Sequence, residues 1–424
     1  MNMWLIGFAV RMMIAGALLA IGIWLARRHP CRVGLKCFMG YYAVRLLVMA
    51  ILVCGMNQLP TDIKGWFLHA NWMNDGYFPG KDFHSPYYLG FNFLLAASTF
   101  CLKSPYAIVF LFTAVEAVAL LILYFSLKRI LPEINVRRII ILYLSSPIIT
   151  FTSWFGAQDE VFPLLGISVL IWLFCRNEKA YLDYVVAGVA IFFTKILSLF
   201  YLQPFFFIRR YRTCLAGFVG AVVYFAVAKF VGVSPFDLVF SRVIGMETTG
   251  DNIATIITPG NIWHLFNLRP GNNLMSLCCL FALGCVTLPF LPNLLLKDDD
   301  KSRQVLKCCT LAGCLFMTFS LSYPMTFTNY AIPVMVSILV TLLHEWRWPR
   351  LILFFIWSSV MSVKEQVVGL TMNLASPNHL VQYLANFVEI SSVVLSVLLL
   401  VLMLKVAHEN AFLGTKIHSI RNVP

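Results

Sequence analysis

Residues 105–127 read PYAIVFLFTAVEAVALLILYFSL, an apolar stretch whose one charge is Glu116. A helix of about 20 residues rises about 30 Å, the thickness of a bilayer's hydrocarbon core. A helix apolar on every side has no face for water, so the stretch predicts a membrane span. The same pattern recurs outward in both directions. Apolar runs fall at 4–25, 37–56, 87–102, 139–155, 160–175, 184–208, 213–232, 274–296, 306–323, 328–343, 349–363 and 388–406.

Composition agrees. The 424 residues are 60% hydrophobic and 12% charged, against about 25% charged in a soluble domain. What lies between the runs is too little for a soluble domain. The expected fold is all-α, a polytopic transmembrane protein of about 10–13 helices, forming one membrane domain over 1–424. The run from Trp4 to Leu25 is too long for a signal-peptide core and is expected to stay as the first helix.

The net charge of +13 would suit nucleic acid if the basic residues formed one face. They do not. Arg27, Arg28, Arg32 and Lys36, then Lys128, Arg129, Arg137 and Arg138, then Arg209, Arg210 and Arg212, then Arg347 and Arg350 sit in short clusters between apolar runs. That is the positive-inside pattern of cytoplasmic loops, and no nucleic-acid partner is expected. The twelve cysteines lie in or beside apolar runs, with no CxxC pair. They read as small apolar residues, not as a disulfide framework.

Placing the basic clusters inside puts the N-terminus outside, together with three long external loops, 57–86, 233–273 and 364–387. The turns at 156–159 and 323–329 fall outside too. Two places break simple alternation. Segment 184–208 has cytoplasmic loops on both sides, so Lys195 and Pro204 suit a broken hairpin buried in protein. The pair 87–102 and 105–127 must cross an odd number of times, so one member does not cross fully.

The external segments carry the chemistry-bearing residues. Thr61-Asp62-Ile63-Lys64-Gly65-Trp66 follows the second helix. Asn74 to Tyr88 holds Asp75, Lys81, Asp82, His84 and Tyr87 among aromatics. Gly156-Ala157-Gln158-Asp159-Glu160 forms a turn between helices, and Tyr323 to Tyr330 leads to Pro333. An aromatic belt explains the rings but not the interleaved carboxylates. Asp75 and Glu160 read equally well as solvated surface groups. Asp62 and Asp159 lie beside predicted helix ends at the bilayer boundary, where desolvation raises a carboxylate's proton affinity and can make it a general base.

These residues resemble the C superfamily of membrane glycosyltransferases, which take sugars from polyprenyl-phosphate donors. Asp62, then Gly76 and a Tyr-Phe-Pro turn, then Asp82-Phe83 and Ser85-Pro86-Tyr87-Tyr88 are similar to the first external loop of bacterial mannosyltransferase-like and GPI-mannosyltransferase-like members. Ser146-Pro147 with Trp154-Phe155-Gly156-Ala157-Gln158-Asp159 resembles the family's proline-bearing helix and Gly-Gln-x-Asp turn, with its register altered. Thr194-Lys195, Leu202-Gln203-Pro204 and Arg209-Arg210 resemble its Lys-and-Pro hairpin. Pro259-Gly260-Asn261-Ile262-Trp263 resembles its Asn-x-Trp segment, and Tyr323 to Pro333 its late aromatic helix. The matches are short, in order, and span about residues 60 to 335. Where the family often shows Asp-x-Asp, this chain reads Asp62-Ile63-Lys64, which argues against a two-carboxylate metal site there.

The resemblance implies transfer of a hexose or pentose, mannose-like by preference, to a glycan or lipid-linked acceptor outside the cytoplasm. It implies Asp62 as base and Asp82 as a second carboxylate orienting sugar or acceptor. Lys81, His84 and Lys195 are the implied phosphate partners. Tyr87, Gln158, Asp159 and Tyr330 complete the implied substrate site. No cofactor is fixed, though a divalent cation would suit a phosphate donor. Membrane lipids are implied surroundings. The external segments hold no Asn-x-Ser/Thr acceptor, which leans toward a bacterial inner membrane, with the endoplasmic reticulum as the alternative.

Arg11, Arg45, Glu116 and Lys195 lie inside apolar runs, more than three residues from either end. Each costs about 2.5–3.5 kcal/mol at a helix centre. Arg11 and Arg45, nearer helix ends, are expected to snorkel. Lys195 is expected either at a lipid phosphate or paired with Glu116. The competing function is a transporter or lipid-linked sugar flippase, which should show two halves with matching helix breaks; no internal repeat is visible. A polysaccharide polymerase or ligase would carry its large loop late in the chain. A non-catalytic assembly subunit is a further alternative, raised by Lys64.

Overall fold

A computed structural model describes residues 3–51, 61–83, 85, 87, 89–176, 197–206, 211–230, 232, 260–266, 268, 272–291, 300–323, 327–343, 346–373 and 379–421. Among these the chain is almost entirely helical. It groups into two compact units: unit 1 is Met1–Thr255 with Asn329–Pro333, and unit 2 is Ile256–Thr328 with Val334–Pro424.

In unit 1 the helices are α1 (Met3–Arg28), α2 (Leu35–Ala50), α3 (Thr61–Asn74), α4 (Leu89–Cys101), α5 (Tyr106–Leu127), α6 (Glu133–Leu144) and α7 (Pro147–Ile149). After α7 the backbone runs into a π-helical turn, Thr150–Trp154, followed by α8 (Val161–Arg176), α9 (Leu197–Phe206) and α10 (Tyr211–Phe230). Unit 2 holds α11 (Ile262–Leu265), α12 (Asn272–Thr287), α13 (Lys301–Ser322), α14 (Ile332–Leu343), α15 (Trp348–Asn373) and α16 (His379–Arg421).

Among the described residues, Gly7–Arg28, Tyr106–Leu127, Lys301–Ser322 and His379–Glu409 are long and apolar enough to cross a membrane. Glu133–Leu144 and Pro147–Trp154 make a fifth if the bent pair is one span. By length and composition this is a membrane protein. The expected 10–13 helices also count runs that, among the described residues, are shorter apolar helices (Leu89–Cys101, Val161–Arg176, Leu277–Thr287 and Thr328–Leu343), and residues 139–155 break. That break has a plain cause. Pro147 lacks an N–H and drives Ser146 out of helix to ψ 136, and the two halves diverge by 45°.

The helix surfaces are built for lipid. On α16, Tyr383, Phe387, Ile390, Val394, Val397 and Val401 are all exposed, a row that water would penalise and hydrocarbon does not. By contrast α13 is almost wholly buried within unit 2. It is capped by Asp300, whose carboxylate accepts from the Ser302 N–H at 2.9 Å and hydroxyl at 2.8 Å. Burial raises this carboxyl, but the Ser302 bonds and the Arg303 guanidinium outweigh it and hold it below the usual carboxylate range. A depressed folded-state value contributes stability above the ordinary carboxylate pKa and loses it as pH falls. Asp300→Ala should therefore cost about 0.5–2 kcal/mol at neutral pH. The gap should shrink in melts repeated below about pH 4.

In unit 1, α1 lies against the break in α6. A Cβ on Gly22 would meet Ser145 Oγ at 2.0 Å and Ser145 Cβ at 2.2 Å. Ser145 has too short a side chain to yield, so Gly22→Ala should push α1 off the bend. Overpacking of this kind costs about 1–3 kcal/mol, readable as a lower melting temperature in detergent.

Three expectations change. The loop 57–86 contains α3, whose Ile63, Trp66 and Ala70 are buried at helical spacing while Asp62, Lys64 and Leu68 are exposed. A scan for long apolar runs passes over so short an amphipathic helix. The loop 364–387 is mostly helix: α15 runs on to Asn373 and α16 starts at His379. Lys364, read as a loop residue, is fully buried in α15. Arg45 does not snorkel. It is fully buried and pairs with Glu116, also fully buried, at 2.5 Å. Arg11 sits over the Phe155 ring at 5.1 Å. The hairpin carrying Lys195 and most of the loop 233–273 lie outside the described residues.

Candidate functional site

Unit 1 brings together residues from three of the four sequence motifs. Asp62 stands in the first turn of α3, exposed, with the buried Ile63 next to it anchoring that turn. The second motif arrives through a reversal after the π turn. Ala157 takes φ 47 while fully buried, a left-handed conformation uncommon outside glycine. That reversal turns Gln158 back toward α3.

Gln158 Nε2 then donates to Asp62 Oδ2 at 3.4 Å. Asn329, the second residue of the 3₁₀ turn Thr328–Ala331, donates from Nδ2 to Gln158 Oε1 at 2.7 Å and to Glu160 Oε2 at 3.0 Å. The order is directional. Glu160 and Gln158 take the two Asn329 amide hydrogens, which fixes Gln158's carbonyl toward Asn329 and its NH2 toward Asp62. Glu160 and Asp159 are buried, Gln158 and Asn329 half-buried, and Asp62 open. Among the described residues Asp62's other carboxylate oxygen accepts no hydrogen bond, so it is left to an incoming group. Of the two carboxylates expected at the bilayer boundary, Asp159 is buried and Asp62 is exposed, and Glu160, which read equally well as a solvated group, is buried.

Glu160 and Asn329 were not picked out as site residues from the sequence. Glu160 read as a solvated carboxylate, and a lone Asn in an aromatic segment gives no signal. The helical phase of Val161–Arg176, which points Glu160 inward at its start, was the available hint.

Asp82 is engaged elsewhere. Its Oδ2 accepts from the Phe78 N–H at 2.8 Å, and its own N–H donates to Phe78 O at 2.8 Å. With the Pro79–Phe83 bridge this closes a tight turn, and among the described residues Asp82 makes no bond to Asp62. Lys81 is exposed on that turn. Phe83 folds back on α3, with ring centroids 5.0 Å from Trp72 and 5.2 Å from His69. Tyr87 is half-buried and stacks on Phe91 at 4.5 Å beside Trp66. Buried Asn92 ties that loop to α4, accepting from Ser85 Oγ and donating to Tyr87 O, both at 3.2 Å. Tyr330 follows Asn329 and is half-buried. His84 and Lys195 lie outside the described residues.

The Asn261-Ile262-Trp263 segment lies in unit 2 and has a structural part to play. Asn261 caps α11 by accepting from the His264 N–H at 3.0 Å, and the Trp263 indole donates to Ser322 O at 2.7 Å. His264 Nδ1 bonds Glu389.

Among the described residues no three His, Cys, Asp or Glu side chains are grouped to hold a metal ion. Among the described residues the side-chain partner of Asp62 is the Gln158 amide, not a second ligating carboxylate. The residues present do not fit a divalent cation there, and no step below is routed through one. No protein-family model and no curated protein sequence matches this chain.

Proposed function

We propose that this chain is a multi-pass membrane glycosyltransferase using a polyprenyl-phosphate sugar, with Asp62 as general base on the non-cytoplasmic face. One observation carries the reading. Asp62 and Gln158, 96 residues apart, meet at 3.4 Å, and Asn329 extends the same network. These three motifs are among those that the resemblance implies at one site.

The chemistry follows from the network. The acceptor hydroxyl approaches Asp62's open oxygen and gives up its proton there. Its oxygen bonds the anomeric carbon as the bond from that carbon to the phosphate oxygen breaks. The electron pair leaves with the polyprenyl phosphate and the configuration inverts. The leaving group is already a stable anion, so a general acid matters less than in glycoside hydrolysis. A cation facing the phosphate matters more, a role open to Lys81, His84 and Lys195. Gln158 holds the base in place, and Glu160 with Asn329 holds Gln158.

The test is transfer from a panel of radiolabelled polyprenyl-phosphate sugars by purified protein and by Asp62→Asn. Labelled product from the first and not from the second is expected. Equal product from both removes Asp62 as the base, and no product from any donor removes the class. A second reading, a transporter or lipid-linked sugar flippase, draws on the fully buried Arg45–Glu116 pair, since charges inside membrane helices often mark a translocation path. It predicts movement of labelled lipid across vesicles with no new glycosidic bond.

A further inference from the structure

The Arg45–Glu116 pair lies apart from the Asp62 network, and the groups around it are incompletely bonded. Arg45 Nη1 reaches Glu116 Oε2 at 2.5 Å, and Nη2 reaches Ser153 O at 2.7 Å in the π turn. The remaining Glu116 oxygen accepts from Tyr143 Oη at 3.2 Å. Among the described residues Arg45 Nε has no hydrogen-bond partner, and neither do Tyr42 Oη, Thr113 Oγ1 and Ser153 Oγ. None of these four side chains is more than 4% exposed.

Each of the four unmet groups is on a member of the ion pair, bonded to it, beside it or one turn away from it. Tyr42 is one turn before Arg45 on α2, with its ring 5.8 Å from the guanidinium carbon. Thr113 is one turn before Glu116 on α5, on the same face. Ser153 already gives its carbonyl to the same guanidinium. Buried polar groups are paired in more than about nine cases in ten, so four unmet together at one ion pair point to something that joins them.

Its chemistry is constrained. Arg45 Nε can only donate, whereas the three hydroxyls both donate and accept. A cation would face Arg45 and an anion would face Glu116. The fit is a small neutral molecule that donates and accepts at once, with two to four polar partners, which is water. We propose that unit 1 contains an internal water site built by Arg45 Nε, Tyr42 Oη, Thr113 Oγ1 and Ser153 Oγ. The water solvates the ion pair among the helices and ties α2, α5 and the π turn together.

The test uses the full-length protein in detergent. Millisecond X-ray radiolysis makes hydroxyl radicals from ordered water where it sits, and mass spectrometry reads the oxidised side chains. Tyr42 should be labelled several-fold above buried Trp357, whose indole is already bonded to Ser396. Labelling of Tyr42 no higher than Trp357 overturns the site. A second reading comes from Tyr42→Phe and Thr113→Val, which delete only hydroxyls or swap them for methyl. With water present each lowers the melting temperature by about 2 °C, and the double variant loses less than the two shifts summed, because both act through one molecule. An unchanged or raised melting temperature in either single variant means a hydroxyl that was bonded to nothing, and it overturns the proposal.

Discussion

Asp62→Asn is expected to lower sugar transfer by about 10²–10⁴-fold, the usual contribution of a positioned general base. Asparagine keeps the shape and can still accept from Gln158 Nε2, so the loss falls on proton removal, not on the local fold. Abundance should hold. Asp62 is exposed in the first turn of α3, and losing a carboxylate from a helix N-terminus at an exposed site costs only about 0.3–1 kcal/mol. The measurement is initial rate with a fixed donor alongside the amount of protein in the membrane. A variant that transfers at the parental rate sinks Asp62 as base. A comparison with Asp82→Asn sharpens it. Asp82's carboxylate is bonded to the Phe78 N–H within its own turn, so its replacement should loosen that turn and cost far less activity.

The second large effect is on stability. Arg45→Leu leaves Glu116 buried without its partner, and removal of one member of a buried ion pair costs about 3–5 kcal/mol. The double variant Arg45→Leu, Glu116→Leu should recover most of that loss, since the remaining demand is packing. Melting of the three proteins in one detergent checks it. An Arg45→Leu melt equal to the parent would mean that the pair does not hold α2 to α5. The expected loss extends beyond two helices, because Arg45 also binds the Ser153 carbonyl in the π turn. That turn leads directly to Ala157 and Gln158. The ion pair thus also supports the route by which the second motif reaches Asp62.

Much of this was legible in the sequence, and the rest was hidden for identifiable reasons. Hydropathy located α5, α8, α10 and α13 within a few residues, because a long apolar run has few alternatives in a membrane. Ser146-Pro147 marked the break in 139–155 as a motif, though the run was read as one helix. Hydropathy could not see α3, whose apolar face is only a few residues long, nor the continuation of α15 past Lys364, because a lysine in an apolar helix reads as its end. Arg45 and Glu116 were visible one by one as charges within apolar runs, but their pairing was not, since it joins residues 71 apart. The candidate site followed the same division. Asp62, Gln158 and Asp159 stood out from motif order, whereas Glu160 and Asn329 matter through three-dimensional contact alone.

One consequence follows from the way α3 is seated. Its inner side, Ile63, Trp66 and Ala70, is buried, with the Trp66 ring packed edge-on against Phe91 and Phe112. The carboxylate at its tip is therefore carried on a stiff rod and not on a tether. On the proposed mechanism a reaction partner must travel to a fixed oxygen, so selectivity among acceptors is governed by the approach to that point and not by adjustment of the base.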